Sequence, residues 1–259
     1  MSAATLAPGT LDVSGTPRIP LSRLVRVELR KLTDTRSGKW LLIAIAIITT
    51  LIVGAVFLTA NTSDRTFINF MGATATPQGF LLPVLGILLV TSEWTQRSAL
   101  VSFTLMPVRG RVLAAKVLAA LIAGLLAIVL AMAVAALATL AGGADNAWAN
   151  IGLDDLGKFA ILQVSGVLQG LAFGLLFLNS AAAIVTYFVL PTAFSILANL
   201  WKALEKAAPW VDLGTSQQPL FGATSMSGEQ WAQLGTSTLI WVVLPFVVGM
   251  VRVLRAEVK

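Results

Sequence analysis

The sequence predicts an all-α polytopic membrane protein with six transmembrane helices, and three observations carry that reading. Hydrophobic residues make up 57% of the 259 positions and charged ones only 12%, about half the charged share of a soluble domain. Apolar runs free of ionisable residues recur along the chain, several near the roughly 20 residues that cross a ~30 Å hydrocarbon core. Lysine and arginine gather between alternate runs, which is how membrane orientation is written.

Residues 1–20 are rich in Ala, Ser, Thr, Gly and Pro without periodicity, and read as a disordered cytoplasmic tail. They are not a secretory signal, because the first apolar run starts only at Leu41. Residues 21–259 read as a single transmembrane domain. Leu21, Leu24, Val25 and Leu32 recur at helical spacing, while Arg23, Arg26, Arg30 and Lys31 supply positive charge. This is an N-terminal amphipathic helix suited to the inner membrane surface.

Spans are predicted at about 40–60, 72–92, 116–142, 159–178, 181–201 and 234–252. The second contains Pro83, where a kink or break is expected. The fourth and fifth divide the uncharged stretch Phe159–Trp201, twice what one helix needs, at Asn179–Ser180. With the N-terminus inside, 14 of the 18 basic residues fall on the cytoplasmic side, and the two faces carry +9 and −3. The prediction is therefore N-in and C-in. Six of the seven tryptophans sit at or just beyond span ends, where an amphipathic ring is stable; Trp241, inside the last span, is the exception.

The chain has no cysteine and no histidine. Disulfides are excluded, and the two commonest transition-metal ligands are missing, so no metal site is expected. A net charge of +6 is accounted for by topology, and nucleic acid is not expected as a partner. Without His, Cys or an expected buried carboxylate, intramembrane catalysis has no equipment.

The segment 93–115, between the second and third spans, is predicted to face the cytoplasm. It begins Glu93-Trp94-Thr95-Gln96-Arg97, continues through Met106-Pro107-Val108-Arg109-Gly110-Arg111 and leads to Lys116. A short helix, a proline break and a basic cluster follow one another. Composition alone favours a connecting loop whose charge fixes topology.

The ordered set resembles the permease subunits of type-2 ABC exporters, especially short actinobacterial ones. Those show a Glu at the inner end of the second span, a short cytoplasmic helix, Pro-x-x-Arg or a close variant, and Lys opening the third span. Glu28-Leu29-Arg30-Lys31-Leu32 also looks like that family's entry helix. Many members carry Gly-Thr shortly after the Glu, where this chain has Arg97-Ser98. The resemblance implies a coupling helix that docks on a separate ATP-hydrolysing subunit, with Glu93, Arg97, Pro107, Arg109 and Arg111 as docking or gating residues. It also implies a second permease copy or paralogue, ATP and Mg held only by the partner, and a place in the cell membrane among lipid.

The fourth span carries Gly166, Gly170 and Gly174, two overlapping GxxxG steps that let another helix approach closely. Packing inside the subunit is the default meaning, and a dimer seam the lesser one. Gln163, Gln169, Asn179 and Tyr187 are uncharged polar groups at membrane depth, suited to helix packing or to lining a pathway. The outer segment 202–233 reads as amphipathic and irregular: a short helix over Lys202–Ala208 stopping before Pro209, and a capping box at Ser227-Gly228-Glu229-Gln230.

No G-x-x-x-x-G-K-[ST] phosphate loop occurs, so the chain is not expected to hydrolyse ATP itself. An ion-driven secondary transporter is the first alternative, lowered by the uncharged span interiors. A non-catalytic membrane assembly subunit is the second.

Overall fold

A computed structural model describes residues 19–96, 108–149, 151–222 and 224–255. Arg97, Pro107 and most of the expected N-terminal tail lie outside the described residues. Among the described residues there is no strand. Six helices are long and apolar enough to cross a membrane, so this is a multi-pass membrane protein.

Helix α1 (Leu21–Asp34) buries Val25, Glu28 and Leu32 along one stripe and leaves its arginines exposed. Only Thr35 separates it from α2 (Arg36–Thr59), the first long helix, and the Thr35 hydroxyl accepts the Gly38 amide at 3.3 Å. A Cβ on Gly38 would overlap the carbonyl oxygen of Leu32, so this tight elbow needs glycine.

Then come α3 (Phe67–Thr95), α4 (Arg109–Gly142), α5 (Leu153–Phe177) and α6 (Ser180–Leu200). Short helices α7 (Lys202–Glu205), α8 (Ala208–Val211) and α9 (Leu213–Gln217), with a 3₁₀ turn at Gln218–Phe221, make the segment after α6. The last long helix, α10 (Gly228–Arg255), contains a π-helical turn at Leu239–Val243.

Several boundaries differ from those the sequence predicts. Helix α3 starts at Phe67 rather than 72 and runs unbroken through Pro77 and Pro83. Helix α5 starts at Leu153 rather than 159, and α10 at Gly228 rather than 234. The early starts of α5 and α10 are polar, so hydropathy undercounts them, whereas that of α3, Phe67-Ile68-Asn69-Phe70-Met71, is mostly apolar. Caps mark two of them: Asp155 accepts the Gly152 amide at 3.1 Å, and Ser227 and Gln230 form a reciprocal box. Of the segment 93–115, residues Glu93–Thr95 belong to α3 and Arg109–Ala115 to α4. Pro209 lies in the first turn of α8 instead of ending a helix, where its missing N–H costs nothing.

Helices α3 and α5 form the centre. A Cβ on Gly170 would overlap the backbone of Pro83, and one on Gly86 would meet the Val167 carbonyl at 2.5 Å. Gly174 lies against Ile87 and Gly166 against the Pro83 ring. The glycine stripe of α5 is thus filled by α3 of the same chain. By contrast α2 buries only a narrow stripe, Ile45, Thr49 and Val53 beyond Gly38, and α6 buries Ala183 and Ala198. Their remaining apolar surface suits lipid.

Candidate functional site

The most heavily built polar site lies at the end of the bundle that holds α1. Glu28 faces inward because it shares the buried stripe of α1 with Val25 and Leu32. Glu93 projects from the last turn of α3, and Lys116 from the second turn of α4. All three are at most 4% exposed, with Lys31 half-buried beside them.

Lys116 Nζ sits 2.8 Å from Glu28 Oε2 and 3.2 Å from Glu93 Oε1, and donates to the Leu89 carbonyl at 3.1 Å. Lys31 Nζ sits 2.8 Å from Glu28 Oε1 and 2.5 Å from Glu93 Oε1. Two carboxylates and two ammonium groups form a neutral quartet joining three helices. Burial works against the charge on Lys31, but Glu28 and Glu93 outweigh it and hold the amine above its ordinary value of 10.5.

Further polar ties converge on this end. Arg109 donates to the Val253 carbonyl at 3.0 Å and to Leu254 at 3.3 Å, and Arg111 donates to the Ile19 carbonyl at 2.7 Å. Arg252 donates to the Leu176 carbonyl, near the C-terminus of α5. The Ser180 hydroxyl lies 2.7 Å from Thr91 Oγ1 and 3.3 Å from Thr95 Oγ1. The end of α3 that precedes residue 97 and the start of α4 that follows residue 107 are thus each fastened to the α1 region and to another helix.

Of the residues that sequence singles out here, Glu93 lies inside the bundle rather than on its surface, and Arg109 and Arg111 bind backbone carbonyls. Asn179 caps α6 by accepting the Ala182 amide at 3.0 Å. Gln163 donates to Gln78 Oε1 at 2.5 Å, and Gln78 donates to the Ala127 carbonyl at 2.9 Å, so this buried amide pair ties α3, α4 and α5. Gln169 and Tyr187 share a cleft of about 200 Å³ with Phe80, Phe188, Thr192 and Gln217. Phe80 stacks on Phe188 at 5.6 Å, and Phe188 meets Tyr187 edge-on at 4.8 Å.

The chain matches no protein-family model and no curated protein sequence.

The far end of the bundle holds polar groups that the sequence did not mark as sites. Lys158, 1% exposed, lies 2.6 Å from Asp154 and donates to the carbonyls of Gly222 at 3.3 Å and Thr224 at 2.9 Å. Asp212 accepts Ser195 Oγ at 2.7 Å and Thr215 Oγ1 at 2.6 Å. Trp241 donates its indole N–H to the Val211 carbonyl at 2.7 Å, which explains its place inside the last span. The expectation of no buried carboxylate is corrected: Glu28, Glu93 and Asp212 are all buried. The signal for Glu28 was present, since an acid at i+3 from Val25 and i−4 from Leu32 must share their face.

Proposed function

We propose that this chain is the membrane-spanning permease subunit of a type-2 ABC exporter in the cell membrane. It is oriented N-in and C-in, and works with separate ATPase subunits and a second permease. The observation that carries the reading is the buried quartet. A segment that transmits force from a motor needs a stiff base, and Glu28, Lys31, Glu93 and Lys116 clamp the helix ends on both sides of 97–107 to α1. The ordered motif from Glu93 to Lys116 supports the same assignment, as does the charge asymmetry between faces.

In this reading α1 lies at the inner interface and the ATPase docks on the segment from Arg97 to Arg111. ATP binding closes the motors and moves α1, α3 and α4 as one rigid body. The cleft between Phe80, Gln169 and Tyr187 opens beside α6, whose exposed face is where a second permease meets this one. Ion coupling would call for an unpaired ionisable group at membrane depth. Glu93, Lys116 and Lys158 each have opposite charges within 3.2 Å, and Asp212, which forms no ion pair among the described residues, is held by Ser195 and Thr215 where the segment after α6 begins to fold back.

Purification of the tagged chain from its native membrane tests the proposal. A phosphate-loop ATPase is expected to co-purify, and to be lost when residues 97–107 are replaced by a Gly-Ser linker with Arg109 and Arg111 kept. Unchanged recovery without any ATPase overturns it. Because the chain has no cysteine, orientation is read separately. Ser225→Cys should react with an impermeant maleimide in intact cells, and Ser37→Cys only after permeabilisation.

A further inference from the structure

Beside the quartet, α1, α2, α3 and α4 enclose an apolar groove of about 280 Å³ that no step of the proposed transport cycle uses. Leu29 and Thr33 line it from α1, Leu42 and Ile45 from α2, Leu85 from α3, and Leu126 from α4. Leu126 is 63% exposed, so the groove opens sideways to the surroundings of the bundle. For a membrane protein those surroundings are acyl chains. The groove has room for a stretch of one chain and is too small for a helix of ~10 Å diameter.

The rim supplies the other half of a recognition site. Arg26 and Arg30 lie on the same edge of α1 as Leu29 and Thr33 by helical spacing, and both are exposed. Neither forms an ion pair among the described residues. The central acid of α1, Glu28, is already held by Lys31 and Lys116. Asp34 lies one turn beyond Arg30 but makes no ion pair with it, and two guanidinium groups one turn apart match the oxygens of a phosphate diester, which they bind with charge-assisted hydrogen bonds. Arg36 and Lys39, also exposed at the start of α2, add to the positive field.

We propose that this groove and its arginine rim bind one anionic phospholipid, with an acyl chain against Leu29, Ile45 and Leu126 and the phosphate on Arg26 and Arg30. The site depends on the chain lying in a membrane but not on its being a transporter. Bound lipid fills the space between α1 and the spans, so α1 is fastened by lipid on one side and by the quartet on the other.

The absence of native cysteine makes the test direct. Thr33→Cys, carrying a bimane label, is reconstituted in vesicles that mix ordinary lipid with brominated phosphatidylglycerol or brominated phosphatidylcholine. Half-maximal quenching by phosphatidylglycerol is expected at about 10-fold or more lower mole fraction than by phosphatidylcholine. Arg26→Gln with Arg30→Gln, both surface changes, should bring the two curves together. A label at Leu137→Cys, on the exposed face of α4, should respond equally to both lipids. Equal curves at Thr33→Cys, or a preference that survives loss of both arginines, overturns the proposal. Reversal of quenching by millimolar inorganic phosphate would make the site one for free anions and overturns it also.

Discussion

At the α1 end, Lys116 meets two carboxylates supplied by α1 and α3; at the far end, Lys158 meets Asp154 and Asp155 from its own helix and two carbonyls of the segment after α6. Both lysines are almost fully buried. Their surroundings nevertheless make different devices. Pulling α1 away from α4 parts Lys116 from Glu28 and Lys31 from Glu93, and leaves one ion pair on each side, Glu28–Lys31 and Glu93–Lys116, in place of four charges sharing one buried site. Lifting the segment after α6 from Lys158 breaks hydrogen bonds and likewise leaves the lysine beside an acid, Asp154, whose side chain is half exposed. One end shares buried ion pairs among three helices, and the other hooks a buried lysine to backbone carbonyls.

The sharpest way to break this comparison is Lys116→Met. It leaves Glu28 and Glu93 buried with only the half-buried Lys31, and a loss of about 3–5 kcal/mol is expected, read as thermal unfolding in detergent or nanodiscs. A loss below about 1 kcal/mol would mean that the quartet clamps nothing. Lys158→Met should cost less, about 1.5–3 kcal/mol for bonds from a charged donor. Its effect should be confined to faster amide exchange over 213–222 while the spans stay protected.

Trp241→Phe keeps an aromatic ring but removes the bond to Val211, so about 1 kcal/mol is expected, again local to the segment after α6 in hydrogen exchange. The smallest effect concerns pH. Lys31 is held above its ordinary value, so its contribution is fully present below about 10.5 and is lost only as pH rises through the higher folded value. Alkaline unfolding scans should show that step, and Lys31→Met should abolish it.

How much of this was legible depended on whether a signal was local. Apolar runs without charge are local, and they mark six spans. The polar first turns of α5 and α10 are helical because of caps and packing, so hydropathy places their starts about six residues late. Glu93 was visible through its position in an ordered motif. Its pairing with Lys31 was not, because Lys31 is 62 positions away and only the elbow at Thr35 and Gly38 folds α1 back onto α3 and α4. The glycine stripe of α5 announced a close approach without naming the helix that makes it. Gln163 was visible as a polar group at depth, whereas its partner Gln78 drew no notice inside a run marked mainly by prolines.

The π turn in α10 adds one extra residue around Trp241, which ties to the segment after α6, and lies before Gly249, where α10 presses against Leu175 of α5. Each residue of a helix turns it by about 100°, so the insertion sets the phase of the two halves independently. Deleting one residue from 239–243 would restore ordinary helical winding and force a choice. Either the indole swings away from Val211, or a side chain bulkier than glycine is driven into α5.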